Sequence, residues 1–373
     1  MAAISCRKEI FMTHIVPEYI PPDFSKDIFV NAPNIKTGVV KKDGVAPFGY
    51  HATTIFPEYY KIDGNWVLAK ESRMDSVVVV NADSTLDIVE FRQLKEGQAV
   101  VLGRTEDASE GIFVHTKGFL HTQSSEEVFS FRTGRSRETS YSRDYDKLYD
   151  LLKYEKEHGY IVWVLGPAVV FDSDSRSAMA SLVQNGFVDA IFAGNALATH
   201  DMEGALFTTA LGQDIYTQES LPNGHYNHLD VINQVRSCGS IKEIVESGLV
   251  RDGVVYSCIK HNIPMVLAGS IRDDGPLPEV ISDVYEAQNK MRSHIKKATT
   301  VIGLATQLHS IATGNMTPSY QVLDGKVRPV YIYSVDISEF AVNKLRDRGT
   351  LEVTSIVTNI QDFLVNLNRN LVK

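Results

Sequence analysis

Short apolar runs that end abruptly at small or polar residues form the main pattern along the last two thirds of the chain. Four such runs, at 161–165, 188–193, 263–268 and 300–305, are each followed at once by a motif rich in Gly, Asn, Asp or His. Continuous apolar runs of this length are typical of buried parallel strands. In open α/β sheets, ligands bind outside the carboxyl ends of the strands. The pattern therefore predicts one shared cleft for a polar cofactor.

Helical periodicity alternates with these strands from residue 145 onwards. Two more strands are predicted at 330–335 and 355–357, and helices are predicted at 145–157, 175–185, 228–236, 240–247, 254–261, 282–297, 339–348 and 360–371. In helix 282–297, the apolar residues Val284, Ala287, Met291 and Ile295 fall on one face. Strands that alternate with helices are typical of a parallel sheet with crossover helices. We therefore predict a doubly wound, mostly parallel α/β domain over residues 145–373.

The first 135 residues have a different pattern. Short β-rich pieces at 64–69, 75–80, 98–102 and 111–115 are separated by turn residues. We predict a smaller, β-rich α+β domain over residues 1–135, which binds the substrate or covers it as a lid. The polar segment 124–146 follows as a linker; alternatively, its arginines reach an anionic group.

Composition and charge narrow the class of protein. The chain has 373 residues, 43% of them hydrophobic, and a net charge of -9. This length favours two domains. The acidic balance and the lack of a long basic run argue against nucleic acid as a partner. No stretch approaches the ~20 apolar residues of a membrane span, and residues 1–11 lack the apolar core of a secretory signal. We expect a cytoplasmic protein with a small-molecule substrate and no membrane partner.

The cysteines and paired histidines carry little chemistry. Cys6, Cys238 and Cys258 form no CxxC pair, which favours a reducing compartment. No oriented base accompanies Cys258, so we interpret it as a small buried hydrophobe rather than a nucleophile. His225 and His228 lie three residues apart, but no third ligand follows at a zinc spacing. We predict no metal site.

The usual glycine fingerprint of dinucleotide-binding domains is missing from the chain. GxGxxG does not occur in the chain, so this motif supplies no argument for a dinucleotide. Asp336 ends a predicted strand, where a carboxylate can accept hydrogen bonds from ribose hydroxyls. Alternatively, Asp336 caps the following helix, a role for which Ser338 competes. Both interpretations stay open.

Residues 269–276 form a polar loop after a buried strand, with Arg272 beside Asp273 and Asp274. Neighbouring carboxylates can differ in pKa when an arginine holds one of them ionised and leaves the other to move protons. The alternative is a turn whose aspartates cap backbone amides. The position at a strand end favours the functional interpretation.

Two histidines follow strand ends. His200 precedes Asp201, and a histidine with a nearby carboxylate is a plausible proton shuttle. His309 follows the strand at 300–305, although a single histidine is more often structural. Residues 44–54 suit a loop over a small substrate, and equally a simple hairpin connection.

In their order along the chain, these motifs resemble a known family. They are GPAVV at 166–170, AGNALA at 193–198, AGSIRDDGPLP at 268–278, LHSIA at 308–312 and GNM at 314–316. Together they resemble the archaeal-type ornithine cyclodeaminase family, also called the LOR/SDH family. They are also similar to the C-terminal module of cyanobacterial arginine dihydrolase/ornithine cyclodeaminase fusions. The resemblance covers roughly residues 44–373. It departs from the family at Asn359, where an Asp is usual, at residues 171–173, and at 321–329, which looks like an insertion.

The resemblance implies a deoxyhypusine-synthase-like NAD-binding domain, which would explain the missing fingerprint. NAD would be held tightly. The implied NAD contacts are Asn195, Ala196, Asp274, Thr306, Gln307, Leu308, His309, Asp336 and Asn359. The family further implies a lyase of proline biosynthesis, which converts L-ornithine to L-proline and ammonia by internal hydride transfer, in a homo-oligomer.

Six side chains are predicted to act on the substrate. For catalysis we expect Asp273 and Asp274 first, then His309 and His200, and for the substrate carboxylate Arg73 and Arg272. Two alternatives to the implied function stay open. One is an NAD-dependent dehydrogenase or cyclodeaminase for another amino or diamino acid. The other is a non-catalytic regulator that binds NAD or an amino acid.

Overall fold

The chain divides into two compact units. The computed structural model describes residues 16–119, 142–273, 275–338 and 351–372. The first unit comprises Met1–Thr139, Pro318–Val330 and Gly349–Glu352, and the second comprises Ser140–Thr317, Tyr331–Arg348 and Val353–Lys373. The domain boundaries drawn from the sequence, 1–135 and 145–373, stay predictions. They place residues 318–330 in the second domain, whereas in the structure these residues belong to the first unit.

The strands are numbered along the chain. They are β1 (Lys36–Val39), β2 (Glu58–Ile62), β3 (Asn65–Leu68), β4 (Glu71–Ser72), β5 (Val77–Val80), β6 (Leu86–Val89), β7 (Ala99–Leu102), β8 (Ile112–Val114), β9 (Ile161–Leu165), β10 (Ala190–Gly194), β11 (Thr209–Ala210), β12 (Gln213–Asp214), β13 (Met265–Ala268), β14 (Thr300–Leu304), β15 (Tyr320–Leu323), β16 (Lys326–Pro329), β17 (Tyr331–Asp336) and β18 (Glu352–Val357).

The helices are numbered in the same way. They are α1 (Asp27–Val30), α2 (Ser142–His158), α3 (Ser173–Gln184), α4 (Asn195–Phe207), α5 (Asn227–Cys238), α6 (Ile241–Glu246), α7 (Gly253–His261), α8 (Val284–Ile295), α9 (Gln307–Met316) and α10 (Ile360–Leu371). Single 3₁₀ turns occur at Phe91–Gln93, Pro167–Val170 and Gly224–Tyr226. Within the described ranges, none of the helices combines the length and the apolar character needed to cross a membrane.

The described part of the first unit contains three small antiparallel sheets, with the orders β1-β7-β5-β6, β3-β2-β8 and β16-β15-β4. The alternation of a strand sends neighbouring valines to opposite faces. Val78 of β5 therefore joins a core with Tyr60 and Ile112, whereas Val77 and Val79 join a second core. This confirms the β-rich character that we predicted for the N-terminal part of the chain.

The hairpin of β15 and β16 is part of the first unit, although it lies far along the chain. Strand β15 pairs with β4 at Tyr320 and Ser72. Tyr320 is fully buried, and its hydroxyl donates to the carbonyl oxygen of Ala69 at 2.8 Å. The segment that looked like an insertion at 321–329 is therefore a structural strand pair of this unit.

A six-stranded sheet forms the centre of the second unit, in the order β13-β10-β9-β14-β17-β18. The four pairs from β13 to β17 are parallel. When these six strands are numbered 1 to 6 along the chain, their order across the sheet is 3-2-1-4-5-6. This is the strand order of doubly wound dinucleotide-binding domains. The register aligns the strand ends, since Leu304 lies opposite both Leu165 and Val335. The predicted α/β class is confirmed.

The helices cover the sheet through amphipathic faces. Helix α3 packs against α7 and α10. In α10 the buried residues recur at helical spacing, at Ile360, Phe363, Leu364, Leu367 and Leu371. In α8, Ala287, Met291 and Ile295 are buried as predicted, but Val284 is 62% exposed. Val284 is the first residue of its helix, which places it beyond the contact with the sheet.

Within the described ranges, the predicted strands and helices of the second unit are present, with ends shifted by a few residues. The predicted helix at 339–348 lies outside the described residues. Helices α4 and α9 were not predicted. Their first turns carry the small and polar residues of the strand-end motifs, which have little helical periodicity.

Candidate functional site

The strand order reverses between β9 and β14, where Gly166 and Ala305 meet. The Gly166 amide donates to the carbonyl oxygen of Leu304 at 2.8 Å. A Cβ atom at position 166 would lie 2.0 Å from the carbonyl oxygen of Ala305, so only glycine permits this approach of two backbones. Ala305 has a φ of +48°, in the left-handed region. In sheets of this order, the ligand lies in the crevice at the reversal.

In the part of the chain that the structure describes, helices α3, α4, α9 and α10 begin at this edge of the sheet, and they differ in how their first amides are satisfied. Asp172 caps α3 and Asn359 caps α10, because a side-chain oxygen of each accepts from amides of the first turn. Helices α4 and α9 begin at Asn195 and Gln307 without a side-chain cap. Open first-turn amides and the helix dipole favour an anion. The starts of α4 and α9 are therefore suited to phosphate groups.

A cavity of about 220 Å³ lies at the ends of these strands and helices. It is lined by Ala168, Asp172, Ala305, Asp336, Ile337, Asn359, Ile360 and Gln361. Asp336 uses Oδ1 to accept from the Ser338 amide at 2.9 Å, and within the described part of the chain Oδ2 accepts no bond. The capping role and the ribose role considered for Asp336 are therefore compatible. The structure also brings Asp336 and Asn359 together in one cavity.

His309 lies in the first turn of α9, beside the end of β10. A Cβ atom at Gly194 would lie 3.2 Å from Cε1 of His309, and the Nδ1 atom is 3.4 Å from Oγ1 of Thr306. Burial lowers the pKa of His309 below its ordinary value, and the charge of Asp273 opposes this shift without cancelling it. The imidazole is therefore neutral near pH 7 and can accept a proton.

The loop after β13 is held as a turn by hydrogen bonds between its own side chains and backbone amides. Oδ2 of Asp273 accepts from the Ser270 amide at 2.9 Å, and the Arg272 amide donates to Oγ of Ser270 at 3.1 Å. The Arg272 side chain is exposed, and Asp274 lies outside the described residues. Asp273 thus caps a backbone amide of the turn, which was the alternative interpretation of this loop. It also lies close enough to His309 for its charge to act on that ring.

Asn195 connects two of the strand ends. Its Oδ1 atom accepts from the amide of Leu277 at 3.0 Å, which ties the loop after β13 to the start of α4. The structure therefore gathers Asn195, Thr306, His309 and Asp273 around the ends of β10, β13 and β14. Ala196 and Gln307 lie in the first turns of α4 and α9. For Leu308 the backbone position alone is described.

His200 has a different carboxylate partner from the one suggested by the sequence. Its Nδ1 atom lies 2.7 Å from Oε2 of Glu203, whereas Asp201 pairs with Arg176 at 2.8 Å. The correction follows from helix geometry, because residues three apart share a face and adjacent residues do not. The rings nearest to His200 are those of Phe171 and His228. His200 is not among the described residues that line the cavity at Asp336.

Glu203 is a functional candidate that sequence reasoning missed. It is fully buried and accepts from His200, Thr209 and the Gly212 amide. Burial alone would raise its pKa, but these hydrogen bonds outweigh it and hold the pKa of Glu203 below its ordinary value. The spacing of three residues between His200 and Glu203 could have indicated from the sequence that the two side chains meet on one face of a helix.

Arg73 belongs to the first unit and is already paired. Its guanidinium donates to Oε1 of Glu90 at 2.7 Å, and its side chain is 12% exposed. Cys258 is fully buried, and burial raises the pKa of its thiol well above the ordinary value. This confirms the interpretation of Cys258 as a buried hydrophobe. Among the residues that the structure describes, no cluster of His, Cys, Asp and Glu is arranged to hold a metal.

Comparison with known proteins decides the family. A family model described as the C-terminal, Rossmann-fold part of ArgZ-like arginine dihydrolases matches residues 148–367, and the model of the first region of the same C-terminal part matches residues 57–142. The ornithine cyclodeaminase of Methanocaldococcus jannaschii is 41% identical over 343 residues, which is 89% of this chain and 77% of that protein. The chain belongs to the archaeal-type ornithine cyclodeaminase family. The resemblance drawn from the sequence motifs is thereby confirmed.

Two solved structures of archaeal-type ornithine cyclodeaminase relatives extend the comparison. A conserved LOR/SDH protein from Methanococcus maripaludis S2 has a TM-score of 0.82 and 37% identity, over 91% of this chain and 98% of that one. AgrE, the bifunctional arginine dihydrolase/ornithine cyclodeaminase of Nostoc sp., has been solved in a ternary complex with ornithine and NAD+. That structure has a TM-score of 0.57 and 33% identity, over 91% of this chain and 47% of AgrE. This chain therefore spans about half the length of AgrE.

Proposed function

We propose that this protein is an NAD-dependent ornithine cyclodeaminase, which converts L-ornithine to L-proline and ammonia. The observation that carries the proposal is the AgrE complex, in which a relative of matching fold binds ornithine together with NAD+. Relatives covered over most of their length are named ornithine cyclodeaminase, which agrees with it.

The second unit fits NAD at the point where its strand order reverses. Gly166 allows the backbones of β9 and β14 to approach, as a Cβ atom there would collide with Ala305. The open starts of α4 and α9 suit the pyrophosphate. The cavity at Asp336 and Asn359 offers oxygen acceptors for ribose hydroxyls. These features supply by other means what the GxGxxG loop supplies elsewhere.

Most of the residues proposed to hold NAD lie at these positions. They are Asn195 and Ala196 at the start of α4, Thr306, Gln307, Leu308 and His309 at the start of α9, and Asp336 and Asn359 in the cavity. Asp274, which lies outside the described residues, is proposed because the family resemblance implies it. When bound, NAD supplies reversible hydride acceptance at its nicotinamide ring.

His309 is proposed as the group that moves a proton. The α-amino group of ornithine must be neutral before its α-carbon can give up a hydride. Neutral His309 can take that proton at Nε2, since its Nδ1 atom faces Thr306. Its lowered pKa keeps it unprotonated and ready at neutral pH. His200 remains a second proposal, with Glu203 as the carboxylate that orients its ring.

Charged groups of the loop after β13 are proposed to orient the substrate. Asp273 and Asp274 would attract the ammonium group of ornithine, and Asp274 would also handle protons. Arg272 would bind the carboxylate through its planar guanidinium. Arg73 is the weaker of the two proposed carboxylate ligands, because Glu90 already occupies part of its guanidinium.

We also propose that the protein works in the cytoplasm, in proline biosynthesis, as a homo-oligomer. The sparse cysteines and the buried Cys258 agree with a reducing compartment. Size-exclusion chromatography with light scattering would test the assembly.

The decisive experiment combines mass spectrometry with a product assay. The purified protein is denatured and the released small molecules are identified; intact protein is then incubated with L-ornithine deuterated at the α-carbon. We expect released NAD, equimolar proline and ammonia, and deuterium retained at the α-carbon of proline. Net NADH formation would instead indicate a dehydrogenase. NAD release without turnover of any diamino acid would contradict the proposed reaction and favour a regulator.

A further inference from the structure

The lining of the cavity at Asp336 bears on which dinucleotide the protein accepts. The eight described residues that line it carry two carboxylates, two amides and four aliphatic side chains. The carboxylates belong to Asp172 and Asp336, and the amides belong to Asn359 and Gln361. Carboxylate oxygens accept hydrogen bonds from hydroxyl groups. A phosphate needs donors and positive charge instead.

Among the described residues, four donors next to this cavity are already bonded within the protein, namely the amides of Asp174, Ser175 and Gln361 and the side-chain Nε2 of Gln361. Oδ1 of Asp172 accepts from the amides of Asp174 and Ser175 at 3.1 and 2.8 Å. Oδ1 of Asn359 accepts from the Gln361 amide at 2.8 Å. The side-chain Nε2 of Gln361 donates to Oδ2 of Asp174 at 3.0 Å. The helix starts of α3 and α10 therefore have their own acceptors, unlike the open starts of α4 and α9.

We infer that Asp172 and Asp336 together make this cavity specific for a ribose with free hydroxyl groups, so that the protein binds NAD and rejects NADP. The inference rests on the proposed function, which places a ribose of the cofactor at Asp336. Asp336 accepts from a ribose hydroxyl, and Asp172 contributes the second negative charge.

The selectivity arises from charge repulsion. A 2′-phosphate carries about -1.5 to -2 charges near pH 7. In this cavity it would meet two carboxylates, and like charges brought together in a binding site select strongly against the wrong ligand. A free hydroxyl meets the same carboxylates as hydrogen-bond acceptors. Asp172 is thus a specificity-determining residue as well as a helix cap.

Isothermal titration calorimetry of the 373-residue chain, stripped of nucleotide, tests the inference with NAD+ and NADP+. We expect the wild type to bind NAD+ at least ~100-fold more tightly than NADP+. Asp172→Asn and Asp336→Asn should each reduce this ratio about tenfold, which corresponds to ~1.4 kcal/mol. In Asp172→Asn the ratio should change mainly through tighter NADP+ binding. Asn caps helices about as well as Asp, so the first turn of α3 is kept.

Asp283→Asn is the matched control. Asp283 caps α8 by accepting from the amides of Tyr285 and Glu286, as Asp172 does for α3, but it does not line the cavity. Its ratio of NAD+ to NADP+ affinity should equal that of the wild type. A change in this control as large as that in Asp172→Asn would mean that the effect comes from helix capping, and would overturn the role of Asp172.

The remaining outcomes separate the inference from the proposed function. Equally tight binding of NAD+ and NADP+ by the wild type overturns the inference and leaves the proposed cofactor standing. An unchanged ratio in Asp172→Asn and Asp336→Asn overturns it as well. Failure of the folded wild type to bind either dinucleotide contradicts the proposed function, and the inference with it.

Discussion

Replacing Gly166 by Ala tests the geometry at the reversal of the strand order. The added Cβ atom would lie 2.0 Å from the carbonyl oxygen of Ala305, 2.7 Å from its carbonyl carbon and 3.2 Å from the carbonyl oxygen of Leu304. All three atoms belong to the backbone, so no side-chain rotation relieves the collision. The φ of Gly166 is -81°, which alanine adopts freely, so contact alone opposes the substitution.

The cost can be estimated from two contributions. Overpacking in a rigid core costs about 1–3 kcal/mol, and a collision with backbone belongs at the upper end of that range. Separating β9 from β14 also weakens the bond from the Gly166 amide to Leu304, worth about 1 kcal/mol. We expect Gly166→Ala to lower the free energy of unfolding by about 3 kcal/mol. For a unit of this size, that loss corresponds to a melting temperature about 6–12 °C lower.

Thermal unfolding of nucleotide-free protein, followed by circular dichroism, measures the effect. Gly194→Ala is the control, because its Cβ atom would lie 3.2 Å from the movable ring of His309 and at an ordinary contact distance, 3.8 Å, from the carbonyl oxygen of Ala268. Its φ of -102° also suits alanine, so we expect a change within about 1 kcal/mol. A melting temperature of Gly166→Ala within about 2 °C of the wild type would refute the reasoning.

Three further predictions concern charged and titrating groups. Asp201→Ala should lower the free energy of unfolding by at least about 3 kcal/mol in urea titrations, because the buried Arg176 would lose a partner. Because burial lowers the pKa of His309 below the ordinary histidine value of about 6.5, proline formation should slow only on the acid side of that value, as the ring becomes protonated. His309→Gln should lower kcat ~10²–10⁴-fold and remove this acid limb from the pH profile. A limb that persists in the variant would exclude His309 as its source. The pKa of Glu203 is lower in the folded protein than in the unfolded chain, so its ionised form stabilises the fold. This contribution to the free energy of unfolding is complete above about pH 4.5 and is lost as the pH falls through the pKa that Glu203 has in the folded protein. Glu203→Gln should therefore unfold with a shallower dependence on acid pH.

The parallel strands could be predicted from the sequence because burial on both faces leaves an uninterrupted apolar run. Strand β9 begins and ends where its run predicted, at Ile161–Leu165, and β14, at Thr300–Leu304, ends one residue before the end of its run. Helix α10 was equally clear, since its buried residues recur at helical spacing. The strand-end motifs also indicated where the site residues gather, because parallel strands deliver their ends to one edge of the sheet.

Other features depend on contacts that no local pattern contains. The partner of His200 is Glu203 because a helix forms at Asn195–Phe207, and this helix was not predicted. The capping bond of Asp273 depends on the turn that Ser270 makes after β13. The return of β15 to β4 joins residues about 250 positions apart, a pairing that only the folded chain shows.

That return also constrains how the protein is made. The ribosome delivers the chain from its N-terminus, and the first unit cannot complete its core until Tyr320 has emerged. Roughly 190 residues separate Thr139 from Val330, so at about 5–20 residues per second the early strands wait some 10–40 s for their last partner. During that interval β4 has an open edge, which makes it a target for wrong pairing or for a chaperone. Cutting the gene after residue 139 would therefore yield a first fragment that lacks its final hairpin.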